Sequence, residues 1–155
     1  MNIYAGASAI DLKTILYRFV RLLVGTAHAS HFAAISGYEN ATGIDRTGAL
    51  GDELRSRGFS VIEGFGSYKG EKERSLFVVP SAVDGRFTET ELRALRHLAA
   101  AYYQESFFLN NDWGAVFQYP NGKIEQVNGG RYMLGDAVKD LDYYSEFAGV
   151  AFSVV

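Results

Sequence analysis

The chain has 155 residues, of which 48% are hydrophobic and 21% charged, which is typical of one globular domain and unlike intrinsic disorder. Its 15 basic and 18 acidic residues give a net charge of −3, which excludes proteins that recognise nucleic acid or membranes by bulk positive charge. The sequence has no cysteine, which excludes disulfide scaffolds, thiolate zinc sites and thiol nucleophiles. We therefore expect one domain over residues 1–155, rich in aromatic residues at 14%.

The first predicted element is a helix over residues 9–24. Ser8 and Asp11 have the spacing of a capping box, and apolar residues between Leu12 and Leu23 recur at helical intervals. Charged residues interrupt the apolar stretch, so it is expected to be neither a signal peptide nor a membrane helix. A cytoplasmic location is therefore predicted.

A short buried strand over residues 31–36 and a second helix over about residues 45–57 are predicted next. A polar loop over residues 37–43 joins them, and Gly58 is expected to end the helix. Two glycines within this helix suggest close packing against another backbone or a bound group.

Two strands are then predicted over residues 59–63 and 75–79, joined by a glycine-rich, charged segment over residues 64–74. The sequence GFGSYKG in this segment superficially resembles a phosphate-binding loop. Such a loop must lead directly from a strand into a helix, whereas here another strand follows. We interpret the segment as a mobile hairpin connection rather than a nucleotide-binding motif.

The last third of the chain is predicted to be mainly extended after one more helix. Thr88 opens this third helix, and Glu91 completes a capping box. Pro120, Asn121 and Gly122 form a strong turn signal between two strands. The predicted extended segments are residues 106–109, 115–119, 123–127 and 149–155, while residues 136–146 are expected to be a short helix or an ordered loop.

The order of these elements predicts an α+β fold. Regular alternation of strands and helices stops after the third helix, so we expect a mixed or antiparallel sheet with about three helices on one face. Aromatic residues concentrate in the later strands, where most are expected to fill the core. Tyr143 and Tyr144 are candidates for an exposed surface.

The loop and helix start at residues 36–47 form the most suggestive functional segment. Backbone N–H groups at a helix start favour an anion, and Arg46 could add a bidentate contact. Asn40 and Thr42 could bind a polar ligand or simply cap the helix. Both interpretations stay open from the sequence.

Two patterns raise the question of metal chemistry. His28 and His31 could bind a metal together, but the third histidine, His97, is distant in the sequence, so a structural role is favoured. A hydrolytic magnesium site would need converging carboxylates, for which the candidates are Glu39, Asp45, Glu63, Glu73 and Glu105. A metal-dependent nuclease or phosphoesterase is therefore the alternative function.

The segment Ile35-Ser36-Gly37-Tyr38-Glu39-Asn40 resembles an uncharacterised family of small bacterial and phage proteins that carry a domain of unknown function. The similarity spans roughly residues 32–119. The matching positions are Ser36, Asn40, Arg46, Leu50, Leu54, Gly58, Gly64, Tyr68, Glu73 and Ser75, followed by Gln104, Glu105 and Ser106. This resemblance implies a compact α+β fold, a phage or mobile-element setting and one cleft shared by the polar residues, but no known reaction.

We therefore predict a small phage-type accessory or host-interaction protein that acts by binding in a polar cleft. Arg46 would contact an anionic group, while Asn40 and Gln104 would supply directional hydrogen bonds. No cofactor, metal or membrane is expected; the partner would be a host protein or a small anionic ligand, and the chain could form a homo-oligomer. The predicted cleft residues are Ser36, Glu39, Asn40, Arg46, Tyr68, Glu73, Gln104 and Glu105.

Overall fold

Most of the chain forms one antiparallel β-sheet. The computed structural model describes residues 31–81, 85–127 and 132–155, of which 44% lie in strands and 24% in helices. The strands are β1 (Phe32–Ile35), β2 (Tyr38–Glu39), β3 (Ile44–Asp45), β4 (Ser60–Tyr68), β5 (Glu71–Val79), β6 (Phe107–Asn111), β7 (Gly114–Gln118), β8 (Ile124–Gln126), β9 (Tyr132–Leu134), β10 (Tyr143–Phe147) and β11 (Val150–Val154). Nine of them pair in the order β8-β7-β6-β1-β5-β4-β10-β11-β9, and β2 and β3 form a separate ribbon.

The described residues contain two α-helices, α1 (Thr47–Ser56) and α2 (Glu89–Ala101), and a 3₁₀-helix at Asp136–Asp140. The Thr88 hydroxyl accepts a hydrogen bond from the Glu91 N–H, and the Glu91 carboxylate accepts one from the Thr88 N–H, which is the predicted capping box. Neither α-helix has the length and apolar character needed to cross a bilayer.

Both α-helices pack on the same face of the sheet, which we call the helix face. Leu50 and Leu54 of α1 and Leu95 and Leu98 of α2 are almost completely buried there. Alternate residues of the central strands complete this cluster, because successive side chains of a strand point to opposite faces. The helix face is therefore a core of aliphatic side chains between two layers, to which Phe59, Phe87 and Phe107 add aromatic rings.

The opposite face, which we call the concave face, has an aromatic core formed by the sheet itself. The ring of Phe32 in β1 lies 4.7 Å from that of Phe77 in β5 and 5.8 Å from that of Phe152 in β11. Four strand steps separate β1 from β11, which is about 19 Å across a flat sheet. The ring contact therefore requires the sheet to curl.

A hydrogen bond joins strands that are still further apart in the sheet. The Tyr132 hydroxyl of β9 donates to Oδ1 of Asn110 in β6 over 3.0 Å, in a buried position. Six strand steps separate β6 from β9, which is about 29 Å across a flat sheet. The sheet is consequently a curled half-barrel, and its interior is the concave face.

The predicted fold class, an α+β domain with about three helices on one face, is wrong. The described residues are dominated by the nine-stranded half-barrel and contain two α-helices. The helix predicted over residues 9–24 lies outside the described residues. Two sequence segments explain the excess of strand: residues 64–74 belong almost wholly to β4 and β5, and residues 136–146 contain a 3₁₀-helix followed by most of β10.

Several single elements were predicted correctly. Helix α1 lies within the predicted residues 45–57, and α2 begins at the predicted cap. The predicted turn between β7 and β8 is present, because the Tyr119 N–H donates to the Lys123 carbonyl and Gly122 has a φ of +95°. Strand β11 is interior, as predicted, since β10 and β9 flank it.

Candidate functional site

The concave face opens at one end into a cavity of about 830 Å³. This volume lies within the range of pockets that hold small ligands, roughly 300–1,000 Å³. The cavity lies at the end of β1 where the chain leaves the strand at Ser36, opposite the end that begins at Phe32. It is the continuation of the aromatic core into solvent, so we call it the concave cavity.

Strand register builds one wall of the concave cavity. Tyr143 of β10 is paired with Tyr68 of β4, which is in turn paired with Glu71 of β5. The next row on the same face consists of Ser145, Gly66 and Glu73. Residues opposite each other in antiparallel strands share a face, and so do residues two apart. The two rows therefore form a continuous patch of tyrosine, serine and carboxylate, and all six residues line the cavity.

Gly66 leaves a hollow in this wall. A Cβ added at Gly66 would meet no heavy atom of the described residues within 4 Å. Gly64, two residues earlier on the same face, differs completely, since its added Cβ would lie 2.1 Å from the Glu146 carbonyl oxygen and 2.6 Å from Cδ1 of Phe147. Gly64 therefore permits close strand contact, whereas Gly66 provides space inside the cavity.

A pair of tyrosines stands beside the hollow. The rings of Tyr68 and Tyr143 have centroids 4.8 Å apart and remain 51% and 56% exposed. The hydrogen bond with Tyr68 raises the pKa of the Tyr143 hydroxyl above its ordinary value. Both rings thus offer an accessible aromatic surface to the cavity.

Apolar side chains form the opposite part of the cavity. Phe108 of β6 and Phe117 of β7 are in edge-to-face contact, with ring centroids 6.3 Å apart, and Phe117 is 38% exposed. Phe152 of β11 and Val127 after β8 also line this part. The cavity is therefore amphipathic, with an aromatic and aliphatic side facing a polar one.

The charges around the cavity are divided between the two faces. The Arg74 guanidinium bonds to Glu63 and, over 3.1 Å, to Asp45 on the helix face. The Lys72 ammonium lies 4.5 Å from the centroid of the Phe65 ring, which also belongs to the helix face. Glu71 and Glu73 alternate with these basic residues along β5 and therefore point into the cavity. Lys72 and Arg74 also border the cavity, but their charged groups contact helix-face residues. The charged side chains that β5 turns into the cavity are therefore those of Glu71 and Glu73, beside the hydroxyl of Ser75.

The structure brings half of the predicted cleft residues together. Ser36, Asn40, Tyr68 and Glu73 line the concave cavity. Their separation in the sequence is bridged by the pairing of β1 with β5 and of β5 with β4. Whether these residues bind a ligand stays a prediction.

The other predicted cleft residues do not line the cavity. Nη1 of Arg46 donates to Oε2 of Glu39 over 2.8 Å, so the two side chains form an ion pair with each other. The amide of Gln104 donates to the carbonyls of Tyr38 and Tyr102, at 2.7 and 3.1 Å, and connects the ribbon to the end of α2. Glu105 is also outside the lining residues.

One backbone N–H at the start of α1 is bonded by a side chain of the protein itself. The Thr47 N–H and hydroxyl both donate to Oδ1 of Asp45, at 3.0 and 2.6 Å. Burial pushes the pKa of Asp45 upward, but hydrogen bonds from Thr47 and Arg74 outweigh it and hold the pKa below its ordinary value. The expected anion at this helix start would thus compete with an ionised carboxylate.

The histidine and acidic candidates for metal chemistry have other contacts. Nδ1 of His31 accepts from the Phe87 N–H and Nε2 bonds to Asp112, each over 3.0 Å; His28 lies outside the described residues. The hydrogen bond with His31 and the ion pair with Arg86 lower the pKa of Asp112. Across residues 31–81, 85–127 and 132–155, no group of three or more His, Asp or Glu side chains is arranged to hold a metal ion.

Sequence reasoning missed Gly66, Glu71 and Ser145 of the cavity wall, and it predicted Tyr143 only as an exposed surface residue. Gly64, Gly66 and Tyr68 alternate with Glu63, Phe65 and Ser67, and the same alternation continues through β5. That period of two is the signal of a strand. Glycines and charges concealed it, because they usually indicate a connection.

The sequence matches no protein-family model and no curated protein. Function must therefore be inferred from the cavity and its contacts.

Proposed function

We propose that this protein binds a small amphipathic ligand in the concave cavity. The observation that carries the proposal is the division of one cavity of about 830 Å³ into an apolar side and a polar side. Pockets that bind small molecules combine apolar walls with a few convergent polar groups that fix the ligand's orientation.

The apolar side accounts for affinity. Phe117 keeps 38% of its surface exposed although its neighbour Phe108 packs into the aromatic cluster. Covering such a ring with a ligand removes apolar surface from water, which is worth about 25 cal/mol per Å². An apolar ligand body is therefore expected to contact Phe108, Phe117 and Phe152.

The polar side accounts for orientation. Several hydroxyls at the cavity are already held by backbone carbonyls: Ser36 by Arg74, Ser75 by Ile35 and Ser153 by Tyr143. The Ser36 oxygen also accepts a hydrogen bond from the Tyr38 N–H, whereas the oxygens of Ser75 and Ser153 keep acceptor capacity for a ligand. The two carboxylates on this side, Glu71 and Glu73, favour a neutral or positively charged polar group over the anionic one predicted from the sequence.

Other parts of the predicted function stay predictions. The phage-type setting, the host partner and the cytoplasmic location have their support in the sequence resemblance and pattern alone. The nuclease alternative gains no support from the described carboxylates, because Glu39 pairs with Arg46, Glu63 pairs with Arg74, and Glu73 lies in the concave cavity.

The proposal is tested with N-phenyl-1-naphthylamine, a neutral apolar dye whose fluorescence rises on leaving water. We expect saturable enhancement with one dye per chain. Phe117→Ala removes the exposed apolar wall and is expected to weaken dye binding about tenfold, as lost burial of one apolar side chain predicts. Gly66→Leu is expected to weaken it by occupying space in the cavity.

The control is Trp113→Ala, which removes an aromatic ring that is 81% exposed and does not line the cavity. Its dye affinity is expected to equal that of the unchanged protein. Far-ultraviolet circular dichroism checks that each variant is folded. Unchanged dye affinity in folded Gly66→Leu and Phe117→Ala would overturn the proposed site.

A further inference from the structure

The structure assigns a more specific ligand class to this cavity: we infer that the hollow over Gly66 holds the ammonium group of a small amphipathic organic cation. This inference depends on the proposed function, because it places one part of the proposed ligand. It combines three features of the cavity wall, which are space, an aromatic pair and unpaired carboxylates.

The space is provided by the missing side chain at position 66. Ser145 and Glu73 flank Gly66 in the same row of the sheet, and Tyr68 lies two residues further along β4 on the same face. A Cβ at Gly66 would meet no heavy atom of the described residues within 4 Å. A compact group can therefore reach the backbone of β4 between a tyrosine ring and a carboxylate.

The aromatic pair suits a positive charge. Tyr68 and Tyr143 stand side by side with ring centroids 4.8 Å apart, and more than half of each residue is exposed. The face of an aromatic ring carries negative charge density and attracts ammonium groups within about 6 Å. The Lys69 ammonium already lies 5.4 Å from the Tyr68 centroid, although Lys69 does not line the cavity.

The carboxylates supply the matching charge. Glu71 and Glu73 point into the cavity, and neither has an ion-pair partner in the part of the chain that the structure describes. Arg74, between Glu73 and Ser75, is held on the helix face by Asp45 and Glu63. Arg74 and Lys72 border the cavity, but their charged groups contact Glu63, Asp45 and the Phe65 ring on the helix face. Two carboxylates without an ion-pair partner are left beside the tyrosines.

The test compares two probes of the same shape, phenyltrimethylammonium and its neutral isostere tert-butylbenzene, as competitors of N-phenyl-1-naphthylamine. We expect Glu73→Gln to weaken the binding of phenyltrimethylammonium about three- to fivefold, which is the effect of losing one partly exposed charge pair. Tert-butylbenzene should be unaffected. Lys69→Gln should strengthen the binding of phenyltrimethylammonium, because it removes a competing positive charge.

Glu105→Gln is the matched control, since it removes one negative charge outside the cavity lining. The ammonium site would be overturned if Glu73→Gln weakened the binding of phenyltrimethylammonium no more than that of tert-butylbenzene, or no more than Glu105→Gln does. Dye binding would then still support the proposed function. A protein that binds neither the dye nor either probe would overturn both. Displacement of the dye by a lysine-rich peptide at lower concentration than phenyltrimethylammonium would overturn the assignment to a small molecule.

Discussion

At the scale of single residues, two glycines on one strand have opposite roles. Gly64 and Gly66 share the concave face of β4, yet an added Cβ would lie 2.1 Å from the Glu146 carbonyl at Gly64 and meet no described heavy atom within 4 Å at Gly66. The sequence indicates only that both positions lack a side chain. Their difference depends on β10, which is more than 70 residues away in the chain.

The two glycines make a matched pair for a stability measurement. Gly64→Ala is expected to lower the free energy of unfolding by about 1–3 kcal/mol, because β4 and β10 must separate to admit the methyl group. Gly66→Ala should change it by less than about 1 kcal/mol, since the new methyl group enters open space. Urea unfolding monitored by circular dichroism measures both, and equal losses would contradict the assigned roles.

At the scale of elements, local signals predicted the helices and turns but not the length of the central hairpin. The Thr88–Glu91 box and the turn at residues 120–122 are complete within a few residues, so the sequence identifies them directly. The β4–β5 hairpin was interpreted as a long connection, yet its turn is only Lys69 and Gly70, both with positive φ. Cross-strand pairing keeps its glycines and charges in regular strands.

The capping box allows a prediction at this scale. Thr88→Ala removes the hydroxyl that accepts from the Glu91 N–H and is expected to destabilise the fold by about 1 kcal/mol. Thr90→Ala, an exposed position within the same first turn of α2, should have a much smaller effect. Thermal unfolding of the two variants compares them, and equal losses would show that the box does not stabilise the helix start.

At the scale of the whole molecule, contacts between distant strands determine the curl and thereby the cavity. Phe32 touches Phe152 across four strand steps, and Tyr132 bonds to Asn110 across six. No local pattern encodes such pairs. Half of the predicted cleft residues nevertheless line one cavity, because they lie at strand ends that the sheet brings to the same side. Arg46 and Gln104 could not be excluded from sequence, since their partners, Glu39 and the Tyr38 carbonyl, are fixed by the ribbon.

Tyr132 makes the stability of the curled sheet sensitive to alkaline pH. Burial raises the pKa of its hydroxyl well above the ordinary value near 10, so the folded protein keeps it neutral where the unfolded chain ionises. Its contribution to stability is complete below about pH 10 and declines as the pH rises further.

Tyr132→Phe is therefore expected to lower the free energy of unfolding at pH 8 by about 1 kcal/mol through loss of the hydrogen bond to Asn110. Above pH 10 the variant should lose stability less steeply than the unchanged protein. Tyr103→Phe, at a residue 68% exposed, should leave the profile unchanged. Urea unfolding between pH 8 and 11 measures these slopes, and identical slopes for the unchanged protein and Tyr132→Phe would contradict this account.

The most direct test of the central claim, that the concave cavity binds a small ligand, is an amide-resolved NMR titration with phenyltrimethylammonium. Binding in the cavity predicts saturable shifts at Gly66, Glu73, Ser145 and Ser153, with the amides of Arg46 and Gln104 unchanged. Shifts centred on Arg46 and the start of α1, or no saturable shift at any amide, would contradict it.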